Sequence, residues 1–197
     1  MGLSIFQQIK DIDKALFYQI NGVWHHPLLD TVLPWTRHSN NWIPLYIGLL
    51  IWMGYQIGWK TWKWLLFALI NVGLTDQISS SLFKPFFHRL RPCNDPALVG
   101  KTRLLLDHCS GGFSFTSSHA ANHFGLAMFL FITFGMTKER YTKFFFVWAG
   151  VIAFAQVYVG VHYPLDILGG TIIGLVSGYV MGKAYLKWAG PMPFKKH

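Results

Sequence analysis

Long apolar stretches separated by short polar turns dominate this chain. Five of them, roughly 42–59, 62–83, 118–136, 144–161 and 165–186, approach the length a helix needs to cross ~30 Å of hydrocarbon. The N-terminal segment follows another pattern. Ile5, Ile9, Ile12, Leu16 and Ile20 recur at the spacing of one helical face, while Gln8, Asp11 and Lys14 occupy the other. That segment is too polar to span and is expected as a helix lying in the membrane interface. Residues 24–41 hold His25, His26, Pro27, Pro34 and Arg37 and are expected as broken interfacial structure. The pattern predicts an all-α fold: a polytopic membrane helix bundle of about five transmembrane helices plus the N-terminal interfacial helix. A single domain would fill residues 1–197, with an interfacial segment at 1–41, a transmembrane core at 42–186 and a cytoplasmic tail at 187–197.

Composition supports the same class. The chain is 52% hydrophobic and 13% charged, with a mean hydropathy of +0.33, where soluble domains carry about 25% charged residues. Residues 1–20 include Lys10, Asp11, Asp13 and Lys14 where a cleavable signal needs an unbroken apolar core, so none is expected. The net charge is +9, but the basic residues form no single stripe. A basic membrane protein, and no nucleic-acid partner, is the reading that fits. Trp59, Trp62, Trp64 and Trp188 fall near span ends, where aromatic residues meet the membrane–water boundary.

The short loops suggest an orientation. Lys60 and Lys63, then Lys138, Arg140 and Lys143, then Lys187, Lys195 and Lys196 all fall on one side of a five-span chain, which the positive-inside rule makes cytoplasmic. The N-terminus, the polar stretch 84–116 and the turn at His162 then face outward, to the periplasm or outside if the membrane is a bacterial inner membrane. That outward stretch carries Lys84, Arg89, Arg91, Lys101 and Arg103, against the rule. A local task of holding an anion would explain the exception. In the last span, Gly170, Gly174, Gly178 and Gly182 recur every fourth residue and predict a smooth face for close helix packing.

Three short segments at the ends of these stretches carry chemistry when read together. The first is Lys84 and, seven residues on, Arg91-Pro92; the second is Ser117-Ser118-His119; the third is His162 with Asp166 four residues later. Each has a plain alternative alone: snorkelling for the cations, helix capping for the serines and for Asp166. Together they suit a phosphate. A Lys and an Arg can hold its oxygens, one imidazole can attack phosphorus, and another can protonate the leaving oxygen. Asp166 would orient His162 and fix its tautomer. His123, one turn after His119, suits structural hydrogen bonding better than metal binding, because no glutamate lies between the two. Asp76, inside the second span, reads as structurally hydrogen-bonded rather than as part of a proton path. Asp107 and His108 either touch substrate or are simply solvated. Cys93 and Cys109 either bridge and brace the loop or remain free thiols.

These segments resemble the type 2 phosphatidic acid phosphatase superfamily, which includes lipid phosphatases, glucose-6-phosphatase and vanadium haloperoxidases. Its signature runs Lys-x6-Arg-Pro, Pro-Ser-Gly-His and Ser-Arg-x5-His-x3-Asp. The first part is intact here, the second reads Thr116-Ser117-Ser118-His119, and the third reads Ala155-Gln156, then His162 and Asp166 at the expected spacing. The resemblance covers roughly residues 24–186. It implies that His162 forms a phosphohistidine, that Asp166 orients it, and that His119 protonates the leaving group and later activates water. Lys84, Arg91, Ser117 and Ser118 would bind the phosphoryl oxygens, and neither metal nor other cofactor is implied. The departure is Gln156, where the family has an arginine on the phosphate. Arg103 or Lys101 is expected to supply the missing charge.

The expected substrate is a lipid phosphate in the surrounding membrane, with undecaprenyl diphosphate favoured because the short five-span layout resembles the bacitracin-resistance type of undecaprenyl-diphosphate phosphatase. Phosphatidylglycerophosphate, phosphatidic acid and lipid A remain alternatives. So does a phosphotransferase using the same histidine. A haloperoxidase and a lipid-binding or transport protein without turnover rank below these.

Overall fold

The computed structural model describes residues 4–135 and 139–192. Lys138, Lys195 and Lys196, used above for orientation, lie outside the described residues. Eight α-helices are defined: α1 Ile5–Tyr18, α2 Pro27–Arg37, α3 Ile43–Ile57, α4 Thr61–Gln77, α5 Lys84–Phe87, α6 Ser118–Phe134, α7 Glu139–Tyr158 and α8 Pro164–Ala189. The five long apolar stretches thus become α3, α4, α6, α7 and α8. A π-helical segment, Ile78–Phe83, carries α4 on to the short α5. Residues 88–117 form the irregular connection from α5 to α6, and no strand occurs among the described residues.

Helices α6 and α8 form the centre of the bundle, and the glycine stripe sets their separation. A Cβ at Gly170, Gly174 or Gly178 would run into the carbonyl oxygens of Ser117, Ala121 and Gly125, so only hydrogen fits there. This close approach brings the first turn of α6 against the first turn of α8, where the Ser117 N–H donates to the Asp166 carbonyl at 3.0 Å. On the other side of α6, Met53, Trp64, Phe129, Leu130, Trp148 and Ile152 interdigitate to form the main core between α3, α4 and α7. Trp64, in the first turn of α4, is buried in this core and donates to the Thr133 hydroxyl at 3.2 Å, whereas Trp59 and Trp188 are exposed.

Many large apolar side chains face outward from the bundle, including Ile51, Leu69, Val147, Ile172, Val176 and Val180. A lipid solvent accounts for them, since hydrocarbon imposes no penalty on exposed aliphatic surface.

The N-terminal helices depart from the expected picture. Residues 24–41 are not broken structure, because they contain the regular helix α2. His26 caps it by accepting from the Leu28 amide at 3.2 Å, Pro27 sits where a missing N–H costs nothing, and Asp30 lies in the first turn. Leu33 anchors α2 on Ala155 and Tyr158 of α7. Helix α1 exposes its apolar stripe of Ile5, Ile9, Ile12 and Leu16, as an interfacial helix should, and buries Asp13 and Phe17 instead. Phe17 packs edge-on against Tyr163 at 5.4 Å. Asn21 closes the arrangement, its amide donating to the carbonyls of Arg103 and Tyr158 at 2.8 and 2.7 Å.

Candidate active site

The turn between α7 and α8 presents His162. Gly160 (φ 91°) turns the chain there, and the Gln156 carbonyl accepts from the amides of both Val161 and His162 at 3.2 Å. His162 is buried, with Nδ1 3.5 Å from Asp166 Oδ2 and 3.4 Å from Ser114 Oγ. Its Nε2 lies 3.0 Å from Arg91 Nη1. An arginine only donates, so Nε2 carries the lone pair and the proton resides on Nδ1, toward Asp166. Burial pushes the imidazole down to about 4, against the pull of Asp166. The ring is therefore neutral at pH 7, with its lone pair directed at a guanidinium.

Asp166 is fully buried and engaged on every side. Oδ2 accepts from the Tyr163 amide at 2.8 Å and from the Ser114 hydroxyl, while Oδ1 accepts from Arg89 Nη1 at 2.8 Å. Arg89 Nη2 pairs at the same time with Asp13 of α1, whose other oxygen accepts from the Leu165 amide at 2.8 Å. Arg89 stacks over the Tyr163 ring 4.1 Å from its centroid. Asp13, Arg89 and Ser114 thus orient Asp166. Sequence reasoning missed them as a group; the only signals were the scarcity of carboxylates, eight in the chain, and the excess of cations in the outward stretch.

The cations expected to hold phosphate reach the site by different routes. Helix α5 stops at His88, which adopts a left-handed conformation (φ 48°), so Lys84 and Arg91 do not share a helix face. Lys84 Nζ donates to Ser118 Oγ at 3.0 Å, within a cluster that also brings the hydroxyls of Ser79 and Ser80 to 3.0 and 3.1 Å from Ser118. Arg91 is buried. Its Nε and Nη2 donate to the Gly111 carbonyl at 3.3 and 3.2 Å, and Nη1 to the Val161 carbonyl at 3.1 Å. Cys93 and Cys109 form a disulfide with Cα atoms 5.9 Å apart, joining the segment after Arg91 to the one before Gly111.

Ser117 is the N-cap of α6, its hydroxyl 3.4 Å from the Ala120 amide. His119 is half-buried at the end of a cavity of about 500 Å³ between α3, α4 and α6. Tyr46, Leu49, Leu50, Trp64, Leu65 and Leu69 line its apolar length, with Asp76, Asn122 and His123 among its polar walls. His123 Nδ1 meets the His119 carbonyl at 2.8 Å, a structural bond as expected. Asp76 departs from expectation: it makes no hydrogen bond among the described residues and instead lies within electrostatic reach of Lys84. Asp107 and His108 are exposed.

Neither residue expected to stand in for the missing arginine is hydrogen-bonded to Gln156 among the described residues. Arg103 is committed elsewhere, its Nη2 paired with Asp30 at 2.7 Å and its Nη1 donating to the Asn21 carbonyl at 3.1 Å. Lys101 is exposed. The residue beside Gln156 is Arg37, the last of α2, whose Nε donates to Gln156 Oε1 at 3.4 Å.

A family model described as the PAP2 superfamily matches residues 61–189 of the chain. The chain belongs to the PAP2 superfamily. Among PAP2 relatives, it is 30% identical to the lipid A 4′-phosphatase of Porphyromonas gingivalis over 194 residues, covering 93% of this chain and 79% of that protein. It is 32% identical to phosphatidylglycerophosphatase B of Bacillus subtilis over 167 residues, covering 79% and 74%. The crystal structure of Aquifex aeolicus LpxE superposes with a TM-score of 0.66 at 26% identity, covering 87% of this chain and 95% of that one. These likenesses make the protein a bacterial-type membrane PAP2 lipid phosphatase. These relatives bear the names of two of the alternatives, a lipid A 4′-phosphatase and a phosphatidylglycerophosphatase, rather than that of the favoured undecaprenyl-diphosphate phosphatase. Asp13, which pairs with Arg89 behind Asp166, and Arg37, beside Gln156, both precede the PAP2 match.

Proposed function

We propose that this protein removes a phosphate monoester from the headgroup of a membrane lipid through a phosphohistidine on His162, with a lipid A-type glycolipid phosphate as the first candidate substrate. The observation that carries the reading is the arrangement around His162: a neutral imidazole, buried, with Asp166 behind Nδ1 and Arg91 in front of Nε2. Arg91 covers the lone pair at rest. An incoming phosphoryl oxygen accepts that N–H instead, which uncovers Nε2 in line with phosphorus.

The reaction balances as two displacements. His162 Nε2 attacks phosphorus, the bond from phosphorus to the lipid oxygen breaks, and that oxygen takes a proton from His119. Water then attacks the phosphohistidine, giving its proton back to His119 as the P–N bond breaks. Lipid alcohol and inorganic phosphate leave, and both histidines return to their starting forms. Lys84 and Arg91, together with the amides of the first turn of α6, hold the charge that builds on the phosphoryl oxygens. The apolar cavity at His119 suits the acyl chains of a lipid lying in the bilayer. The loop charges support placing this site on the outward face of a bacterial inner membrane.

The similarity to the Bacillus subtilis enzyme favours phosphatidylglycerophosphate as the second reading. Phosphate release by the purified protein, with EDTA present, from lipid A, phosphatidylglycerophosphate, phosphatidic acid and undecaprenyl diphosphate tests the proposal. Release from lipid A several-fold faster than from the others, and none from His162→Ala, is expected. Release from none, or equal release by His162→Ala, overturns it.

A further inference from the structure

Four arginines lie in or around the candidate site, and three have both terminal nitrogens hydrogen-bonded within the protein. Arg89 spends its terminal nitrogens on Asp13 and Asp166, Arg91 on Gly111, Val161 and His162, and Arg103 on Asp30 and Asn21. Arg37 is different. Only its Nε is engaged, by Gln156, and its two terminal amino groups have no partner among the described residues. No carboxylate among the described residues pairs with it either. The guanidinium is nevertheless half-buried and lies within electrostatic reach of both Arg91 and His119.

Holding such a group there is costly unless it meets an anion, because it loses hydration and faces a second arginine. The surroundings also fix its aim. Trp42 and Asn41 cap the end of α2 by donating to the carbonyls of Thr36 and Trp35 at 2.6 and 2.7 Å. Gln156, which anchors the Nε, uses its own carbonyl to hold the His162 amide. Arg37 and the imidazole are therefore tied to one residue, and the guanidinium lies within electrostatic reach of Arg91 and His119.

We propose that Arg37 binds the transferred phosphoryl group through its terminal nitrogens, as a third cation beside Lys84 and Arg91, with Gln156 serving as its positioning residue. The inference rests on the phosphatase reading, and it makes α2 part of the phosphate site.

The test pairs turnover with binding of orthovanadate, a phosphate mimic whose affinity does not depend on a lipid substrate. Arg37→Gln is expected to lower kcat/KM for the lipid phosphate at least 100-fold and to weaken vanadate binding at least 10-fold, with Arg37→Lys in between. The exchange Arg37→Gln with Gln156→Arg is expected to recover at least 10-fold over Arg37→Gln alone, because the charge returns from the facing side chain. Lys60→Gln, in the turn between α3 and α4, serves as the control for loss of a surface cation. Vanadate affinity within twofold of the parent in folded Arg37→Gln overturns the inference. If the parent releases no phosphate from any lipid, the phosphatase reading fails, and vanadate binding still decides the role of Arg37.

Discussion

Arg89 donates to Asp166 at 2.8 Å while its other terminal nitrogen pairs with Asp13, so a residue on the interfacial helix α1 is coupled to the carboxylate behind His162. Both carboxylates are buried, and burial raises Asp13 above the usual carboxylate range against the pull of Arg89. Removing the shared cation leaves two desolvated charges facing one another. Arg89→Met should cost about 3 kcal/mol of stability, seen as a lower unfolding midpoint in detergent. Asp13→Asn keeps the shape but frees Arg89, and should lower kcat about ten-fold with KM little changed. Unchanged kcat in Asp13→Asn would disconnect α1 from the chemistry.

The His162 ring supplies a pH prediction. Burial favours its neutral form, placing it at about 4 in the folded protein against about 6.5 when unfolded. The unfolded chain therefore binds this proton more tightly. Its share of stability is complete above about pH 6.5 and drains away as the pH falls toward 4. Histidine-labelled NMR spectra, compared with His162→Asn, should show this ring still neutral at pH 5.5. A midpoint near 6.5 would contradict the buried, uncharged imidazole described above.

The Cys93–Cys109 bond closes a short loop beside the Gly111 carbonyl on which Arg91 rests. Reduction, or Cys109→Ser, should remove about 3 kcal/mol by loosening the unfolded chain's constraint. It should also raise KM, since Arg91 loses part of its support. Alkylation mass shifts with and without reductant confirm the bond, and an unchanged KM after reduction would separate it from the site.

The glycine face of α8 predicts a packing effect at a distance. At Gly174 a Cβ would meet the Ala121 carbonyl, so Gly174→Ala must push α6 from α8 and should cost roughly 1–3 kcal/mol. Because the same contact line continues to Ser117 and Asp166, activity should fall along with the unfolding midpoint. Gly150→Ala on α7, where nothing lies within 4 Å of the added atom, should leave activity unchanged and raise the unfolding midpoint slightly through helix propensity.

The sequence was readable where local length and period determine structure. Apolar run lengths placed α3, α4, α6, α7 and α8 to within about six residues, and the glycines at every fourth position marked the face of α8 that packs closely, though not its partner α6. His162 meets Asp166 and Arg91, and Lys84 meets Ser118, although the seven-residue spacing of Lys84 and Arg91 does not put them on one helix face. What escaped depends on pairings across more than a hundred residues. Neither Arg37 with Gln156 nor Asp13 with Leu165 has a local signature, and the proline content of 24–41 disguised α2 as a break although Pro27 and His26 in fact start it. The burial of Trp64 and its hydrogen bond to Thr133 likewise have no local signature. The substrate headgroup left no pattern, because a phosphate site binds what all candidate lipids share.

The central claim is that His162 takes the phosphoryl group from a lipid, and acid-sensitive covalent labelling tests it most directly. Purified protein is mixed with phosphate-labelled lipid A or phosphatidylglycerophosphate, quenched within one turnover in alkaline denaturant, and digested. The account predicts a base-stable, acid-labile label on the peptide containing His162 and absent from His162→Ala. Phosphate release without any labelled peptide, or a label on another residue, would contradict it.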